Sequence, residues 1–205
     1  MSETKEINLP LSDEAISQLN AGDMVYLTGE ILTGRDAAHK RLFEMINNNE
    51  ALPPGFELDG KAIFYAGPCP AKPGEVIGSV GPTTSGRMDA YSPLLIERGL
   101  KVMIGKGYRS AAVIEALVKY SGIYFVAVGG AAALMARCVK SADVIAFPEL
   151  GTEAVRRLTV ERMPVIVAID SRGRNFYEEG KERFRNGMVC SYGRGASCKI
   201  KVSMK

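Results

Sequence analysis

A chain of 205 residues with 46% hydrophobic and 24% charged side chains carries enough apolar material for a well-buried core and too much for a disordered polymer. Its net charge of +3 is spread along the sequence without a basic block or interleaved aromatics, which argues against nucleic-acid binding and for a small anionic ligand. No apolar run approaches the ~20 residues needed to cross a bilayer, and the opening Met1 to Glu6 lacks a basic segment followed by an apolar one, so a cytoplasmic protein with no membrane partner is expected.

In chain order, Leu9 to Ser12 followed by Asp13 to Leu19 reads as an N-cap and short helix ending at Gly22, making residues 1–21 a helical lead-in. Met24 to Thr28 reads as a strand, Gly29 to Asp36 as a strand and turn, and Ala37 to Asn47 as an amphipathic helix. Asn47 to Asp59, rich in Asn, Pro and Gly, is a loop. Lys61 to Ala66 and Val76 to Val80 are apolar runs bracketed by Pro and Gly and read as strands. Helices are expected over Met88 to Arg98, Ser110 to Tyr120 and Ala131 to Ser141, with a helical turn over Glu153 to Leu158. Strands are expected over Lys101 to Ile104, Tyr124 to Val128, Val144 to Phe147 and Val165 to Ile169. Continuous β-branched runs alternating with helices imply α/β architecture with a sheet buried on both faces, and the strand-rich first half suggests an added β layer. No repeat or linker divides the chain, so residues 1–205 are expected to form one domain with a loosely packed tail over 185–205.

The cysteines, Cys69, Cys138, Cys190 and Cys198, are widely spaced and include no CxxC pair, so metal-ligand spacing is absent and reduced thiols are expected. Cys138 lies in an apolar helix-like run and reads as core. Cys190 and Cys198 sit in the Gly/Ser-rich tail, where oxidation or a weak metal site is the minor alternative.

Cationic turns recur after apolar runs. Thr33-Gly-Arg35-Asp36, Gly81-Pro-Thr-Thr-Ser-Gly-Arg-Met-Asp89 and Gly105-Lys106-Gly107 each place a cation beside glycine. The second also gathers hydroxyls from Thr83, Thr84 and Ser85 at a helix-like start, where free N–H groups attract anions. Ligand sites of α/β sheets gather at the carboxyl ends of strands, so these turns can converge into a clamp for a dicarboxylate. Arg35 and Arg87 offer planar forks, and Lys106 a point charge. The plainer alternative pairs each arginine with a neighbouring acid, Asp36 or Asp89, on the surface. His39, the only histidine, lies four residues after Arg35 on the same helix face, where it can orient a substrate, relay a proton or simply be an exposed helix histidine. The glycine turn within Val126 to Ala133 lacks both the dinucleotide and the Walker pattern and reads as close helix-on-sheet packing. Asp143, Glu149 and Glu153 are candidate bases, but no cluster specifies a metal or a nucleophilic triad.

These turns resemble the β subunit of class I, iron–sulfur-dependent fumarases and of the related tartrate dehydratases, equivalent to the C-terminal domain of the single-chain enzymes. The likeness runs from Gly22 to about Phe184. It is carried by Gly22 to Gly29, Thr33-Gly-Arg-Asp-Ala-Ala-His39, Gly60 to Pro68, Val80-Gly-Pro-Thr-Thr-Ser-Gly-Arg-Met88, Ile104-Gly-Lys-Gly107 and Glu149 to Ala154. Thr152 to Val155 and Val167 to Asp170 look closer to the fumarase version than to the tartrate dehydratase one.

The resemblance implies a three-layer, swivelling β/β/α domain and the reversible hydration of fumarate to (S)-malate. It implies a [4Fe–4S] cluster with three cysteine ligands on a separate α subunit, which makes this chain inactive alone. It further implies catalytic roles for Thr83, Arg87 and Lys106, and substrate contacts from Arg35, Arg87, Lys106, Thr84 and His39. A threonine hydroxyl is a poor base unaided, so Thr83 needs Lys106, Arg87 or a partner acid nearby. The competing expectations are tartrate or another hydroxy-dicarboxylate as substrate, and a non-catalytic anion-binding or regulatory module. A homodimer of the isolated chain, formed through the surface an α subunit would cover, is a further expectation.

Overall fold

A computed structural model describes residues 4–127 and 130–187. Strand β1 (Lys5–Asn8) and helix α1 (Asp13–Ser17) lead into β2 (Met24–Thr33) and α2 (Asp36–Asn47). Then come β3 (Ala62–Phe64), a 3₁₀ turn (Ser85–Met88), α3 (Ser92–Glu97), β4 (Val102–Gly105), α4 (Ala111–Lys119) and β5 (Ile123–Val126). Helix α5 (Ala132–Cys138), β6 (Val139–Ala146), a second 3₁₀ turn (Pro148–Glu153), β7 (Val155–Ile169) and α6 (Phe176–Gly187) complete the order.

The architecture is α/β, built on a mixed sheet of seven strands in the order β1-β2-β3-β4-β5-β7-β6, with β7 also pairing β2. Strands β1 to β5 run parallel to their neighbours, whereas β7 is antiparallel to β2, β5 and β6. At 15 residues β7 is long enough to pair β6 over its first part, to pair β2 from Arg157 to Ile166 and to reach β5 with its last residues. Strands β2, β3, β4, β5 and β7 therefore close upon themselves and leave β1 and β6 outside the ring.

Alternation along these strands sends successive side chains to opposite faces, and each face buries its own core. Leu27, Phe64, Ile104, Phe125 and Val167 belong to one core, to which α1 contributes Ile16 and α5 contributes Met135. Ile63, Tyr65, Met103 and Tyr124 point the other way into a second core covered by α2, α3 and α4 through Leu42, Leu95 and Leu117.

Several expected boundaries shift, each for a local reason. The lead-in is a strand before it is a helix, because Lys5 to Asn8 pairs in register with Val25 to Thr28. Ser12 caps α1 as expected, its hydroxyl accepting from Ala15 N–H at 3.1 Å. The segments on either side of Gly29 are one strand, kinked by a register shift at Gly29, where φ is +131° and a Cβ would come within 2.9 Å of the Leu9 carbonyl.

Val76 to Val80 forms no strand. Its carbonyl at Ser79 and N–H at Val80 serve Cys69 and Ala132, and its apolar side chains Ile77 and Val80 plug a core instead of joining a ladder. The expected helix over Met88 to Arg98 is split into the 3₁₀ turn and α3, with Pro93 at the start of the latter. The helix expected to run to Ser141 stops at Cys138, and Val139 onward is β6. The turn expected over Glu153 to Leu158 ends at Glu153; beyond it the chain is extended because Val155, Leu158 and Val160 are buried between β2 and β6.

Helix α6 extends into the segment read as a loose tail, of which residues 188–205 lie outside the described residues, as do Val128 and Gly129 of the glycine turn. No helix among the described residues is long and apolar enough to cross a membrane.

Candidate active site

The carboxyl ends of β3 and β4 position the hydroxyl-rich turn. Just beyond β3 the Tyr65 carbonyl accepts both the N–H and the hydroxyl of Thr83, at 2.7 and 2.9 Å. The next residues are stitched to the segment leaving β4. Thr84 forms a parallel bridge with Lys106, Ser85 N–H donates to the Lys106 carbonyl at 2.9 Å, and Lys106 N–H donates to the Thr83 carbonyl at 3.2 Å and to Ser85 Oγ at 3.0 Å. The sequence achieves this closeness with Gly105, where a Cβ would strike the Ser85 side chain and come within 2.9 Å of the Tyr65 ring. Tyr124 braces the turn from below, its hydroxyl 2.8 Å from Ser85 Oγ and 3.0 Å from the Gly107 carbonyl. Thr83, Thr84 and Lys106 are thus fixed by backbone pairing, with the Thr84 and Lys106 residues exposed.

The second half of the site begins where β2 hands over to α2. Arg35 is the N-cap residue of α2, and its carbonyl accepts from His39 N–H at 2.8 Å and from the His39 ring Nδ1 at 2.9 Å. His39 is not the exposed helix histidine of the plain alternative: it is fully buried, edge-on to the Tyr65 ring at 5.2 Å. Burial pushes its pKa down from 6.5 to about 4, against the opposing pull of the Arg35 carbonyl, so the imidazole is neutral and Nε2 is an acceptor. His39 is thus shut off from solvent, with its Nδ1 side committed to the Arg35 carbonyl.

Asp36 joins the two halves. Its Oδ1 forms an ion pair with Arg87, 2.8 Å from Nε, and its Oδ2 lies 3.7 Å from an Arg35 terminal nitrogen. Glu153, from the second 3₁₀ turn, accepts Ala37 N–H at 2.8 Å with one oxygen and sits 3.6 Å from Arg35 with the other. The arginines do pair with an acid, as the plainer alternative anticipates, but both pair with the same one. Arg87 keeps half of its side-chain surface exposed. Of the candidate bases, Glu153 alone borders these residues; Glu149 pairs with Arg41, and Asp143 is exposed on β6.

The residues that hold this arrangement from beneath were missed by sequence reasoning. Arg109 is buried, bonds Asp89 at 2.7 Å and Ser92 at 2.8 Å, reaches the Tyr65 hydroxyl at 3.3 Å, and stacks on the rings of Tyr65 and Tyr124. Asp89 therefore serves Arg109 and not Arg87. Nothing in the local sequence marks Arg109 as buried; only the later arrival of Tyr65 and Tyr124 on one sheet face supplies its partners.

The described residues do not fit an iron–sulfur cluster or another metal. No three His, Cys, Asp or Glu side chains among them are grouped to hold a metal ion. Cys69 is exposed, Cys138 is half-buried on α5 with burial pushing its thiol pKa up, and Cys190 and Cys198 lie outside the described residues. Three surface cavities of about 690, 450 and 550 Å³ are lined elsewhere, by residues 46–59, by residues 69–79 with α5, and by β1 with α1. None includes Arg35, Thr83, Arg87 or Lys106. The cationic turns lie outside these three cavities.

Fold and site together define an α/β chain that presents two arginines and a lysine at neighbouring strand ends. A sequence model described as Fumarase C-terminus matches residues 1–180, and the chain belongs to that family. It is 37% identical over 178 residues to the aerobic class I fumarate hydratase of Escherichia coli, covering 85% of this chain and 32% of the relative. It is 36% identical over 185 residues to the E. coli L(+)-tartrate dehydratase subunit beta, covering 88% of this chain and 90% of that one. A Methanocaldococcus jannaschii protein, provisionally named L(+)-tartrate dehydratase subunit beta, is 41% identical over 175 residues, with 82% of this chain and 89% of the relative covered. The chain spans about a third of the length of the fumarate hydratase it matches.

Proposed function

We propose that this chain is the β subunit of a cytoplasmic, heteromeric hydro-lyase of the class I fumarase type, interconverting fumarate and (S)-malate, and that its fold is the three-layer swivelling β/β/α domain. The observation that carries the reading is the meeting of Arg35 and Arg87 at Asp36, beside a turn whose backbone is paired to Lys106. Arg35, Arg87 and Lys106 bind the substrate carboxylates and offset charge that builds on one of them as the neighbouring carbon loses its proton. Thr84 lines this surface. His39 acts behind it, through the Arg35 carbonyl.

Thr83 donates its hydroxyl hydrogen to the Tyr65 carbonyl, which leaves lone pairs on Oγ1 free to accept a hydrogen bond from substrate. In the proposal it takes part in proton transfer with help from a stronger base, because a threonine hydroxyl does not ionise unaided near neutral pH. The [4Fe–4S] cluster belongs in this reading to an α subunit, consistent with the lack of a fitting ligand set among the described residues. That subunit also covers the cationic surface.

A second reading, L(+)-tartrate as substrate, is favoured by one observation: this chain covers 90% of a tartrate dehydratase β subunit but a third of a fumarate hydratase. Two arginines and a lysine recognise carboxylates and say little about the carbons between them. The experiment is anaerobic turnover of fumarate and of L(+)-tartrate by this chain, alone and with its reconstituted iron–sulfur partner. Fumarate hydration in the mixture alone is expected. Turnover of tartrate instead selects the second reading, and carboxylate binding without turnover on either acid points to an anion-binding module. In the active mixture Arg87→Ala is expected to abolish turnover, a loss of several kcal/mol in transition-state stabilisation, and near-normal kcat/KM sinks the clamp.

A further inference from the structure

Among the described residues, the buried polar side-chain atoms without a hydrogen-bond partner are Arg35 Nε, Asp36 Oδ2 and His39 Nε2, and all lie at the start of α2. Buried polar groups are ordinarily satisfied, so a cluster of exceptions marks a place where a ligand or a rearranged neighbour completes the bonding. Asp36 stands at its centre. One of its oxygens forms an ion pair with Arg87, 2.8 Å from Nε; the other faces Arg35 at 3.7 Å, too far for a hydrogen bond.

We propose that Asp36 is a positioning residue for Arg87, an inference that rests on the clamp reading above. The ion pair sets the Asp36 carboxylate against the Nε edge of the guanidinium, so its terminal nitrogens, on the half-exposed side chain, are left for a ligand carboxylate. Among the described residues Arg87 has no other ion-pair partner, and Asp89, two residues on, is committed to Arg109. The negative charge also lets two guanidiniums approach one site before any substrate dianion arrives, so the cations stand ready instead of repelling each other apart. The spare, buried Oδ2 faces Arg35 at 3.7 Å, so charge and not a hydrogen bond links the two, as it links Arg35 to Glu153.

The test is a double-variant cycle on the assembled enzyme, with kcat and KM measured for wild type, Asp36→Ala, Arg87→Ala and the pair, on whichever of fumarate or L(+)-tartrate the wild type turns over. Asp36→Ala is expected to raise KM about tenfold with a smaller fall in kcat, and the double variant to be no worse than Arg87→Ala, because Asp36 acts through Arg87. Asp36→Asn, which keeps the side-chain volume but removes the charge, is expected to raise KM as Asp36→Ala does, and it carries the test if the alanine variant does not fold. A structural role alone would not produce this pattern. As a second readout, the Arg87 Nε resonance of the ¹⁵N-labelled full chain without partner should shift in both Asp36→Ala and Asp36→Asn, because each removes the paired charge. Unchanged KM in the Asp36 variants, losses that multiply in the double variant, or an Arg87 Nε resonance that does not shift in them overturns the inference while an impaired Arg87→Ala leaves the clamp standing. A fully active Arg87→Ala removes the clamp and this inference with it.

Discussion

Replacing His39 by Gln isolates one buried titration, because this chain has no other histidine. Burial lowers the His39 pKa from 6.5 to about 4, so between these values the unfolded chain binds a proton that the folded chain refuses. Stability then rises with pH through this window: the contribution is fully present above about pH 6.5 and is lost as pH falls toward 4. At roughly 1.4 kcal/mol per pH unit, the wild type loses about 1.4 kcal/mol through this group between pH 7.5 and 5.5, and about 3 kcal/mol by pH 4. The assay is urea unfolding at a series of pH values, read as the difference between wild type and His39→Gln so that carboxylate titrations common to both cancel. The gap between the two stabilities should close by these amounts as the pH is lowered. Parallel curves from pH 7.5 to 4.5 would refute a neutral, buried His39.

Two further perturbations probe the support under the cationic turns. Arg109→Met fills the volume but strands Asp89 without its buried partner, at an expected cost of about 3–5 kcal/mol, or about 10 °C in melting temperature for a chain of this size. A melting temperature within about 3 °C of wild type by calorimetry would contradict that accounting. Gly105→Ala drives a methyl group into Ser85 and the Tyr65 ring, so it should cost about 1–3 kcal/mol and loosen the Thr84–Lys106 bridge; faster amide exchange at Ser85 and Lys106 reports the second effect, and unchanged exchange there denies it.

The pieces legible in the sequence are those whose physics is local. The α2 helix follows from apolar spacing, the Ser12 cap from its side chain, and the turns at Arg35, Arg87 and Lys106 from cations set beside glycine. What was misread depends on distant pairing. Ala154, Val155 and Leu158 have helical spacing, yet they lie before and within β7, where Val155 and Leu158 face opposite sides of the sheet and each is buried in a different core, so no one-sided alternation marks the strand. Val76 to Val80 is apolar enough for a strand but spends that apolarity on plugging a core from a loop. The burial of His39 was equally invisible, since it requires Tyr65 from β3's end to cover the imidazole.

The same division between local and distant causes explains how the two halves of the site are held. Thr83, Thr84 and Lys106 are fixed by main-chain hydrogen bonds between neighbouring strand ends, so their placement is as firm as the sheet itself. Arg35 and Arg87 reach the surface on long side chains, whose ordering costs up to ~2 kcal/mol of rotamer entropy each. A single carboxylate between them opposes that disorder and their mutual repulsion at once, and Glu153 ties the same helix start to a turn 116 residues away. An anion that binds here meets cations already gathered, so less of its binding energy goes into assembling the site and more remains for holding charge as it develops. The open face of that surface leaves the exclusion of water to whatever covers it, which is why a second subunit belongs in the proposed function as part of the site and not only as the carrier of a cofactor.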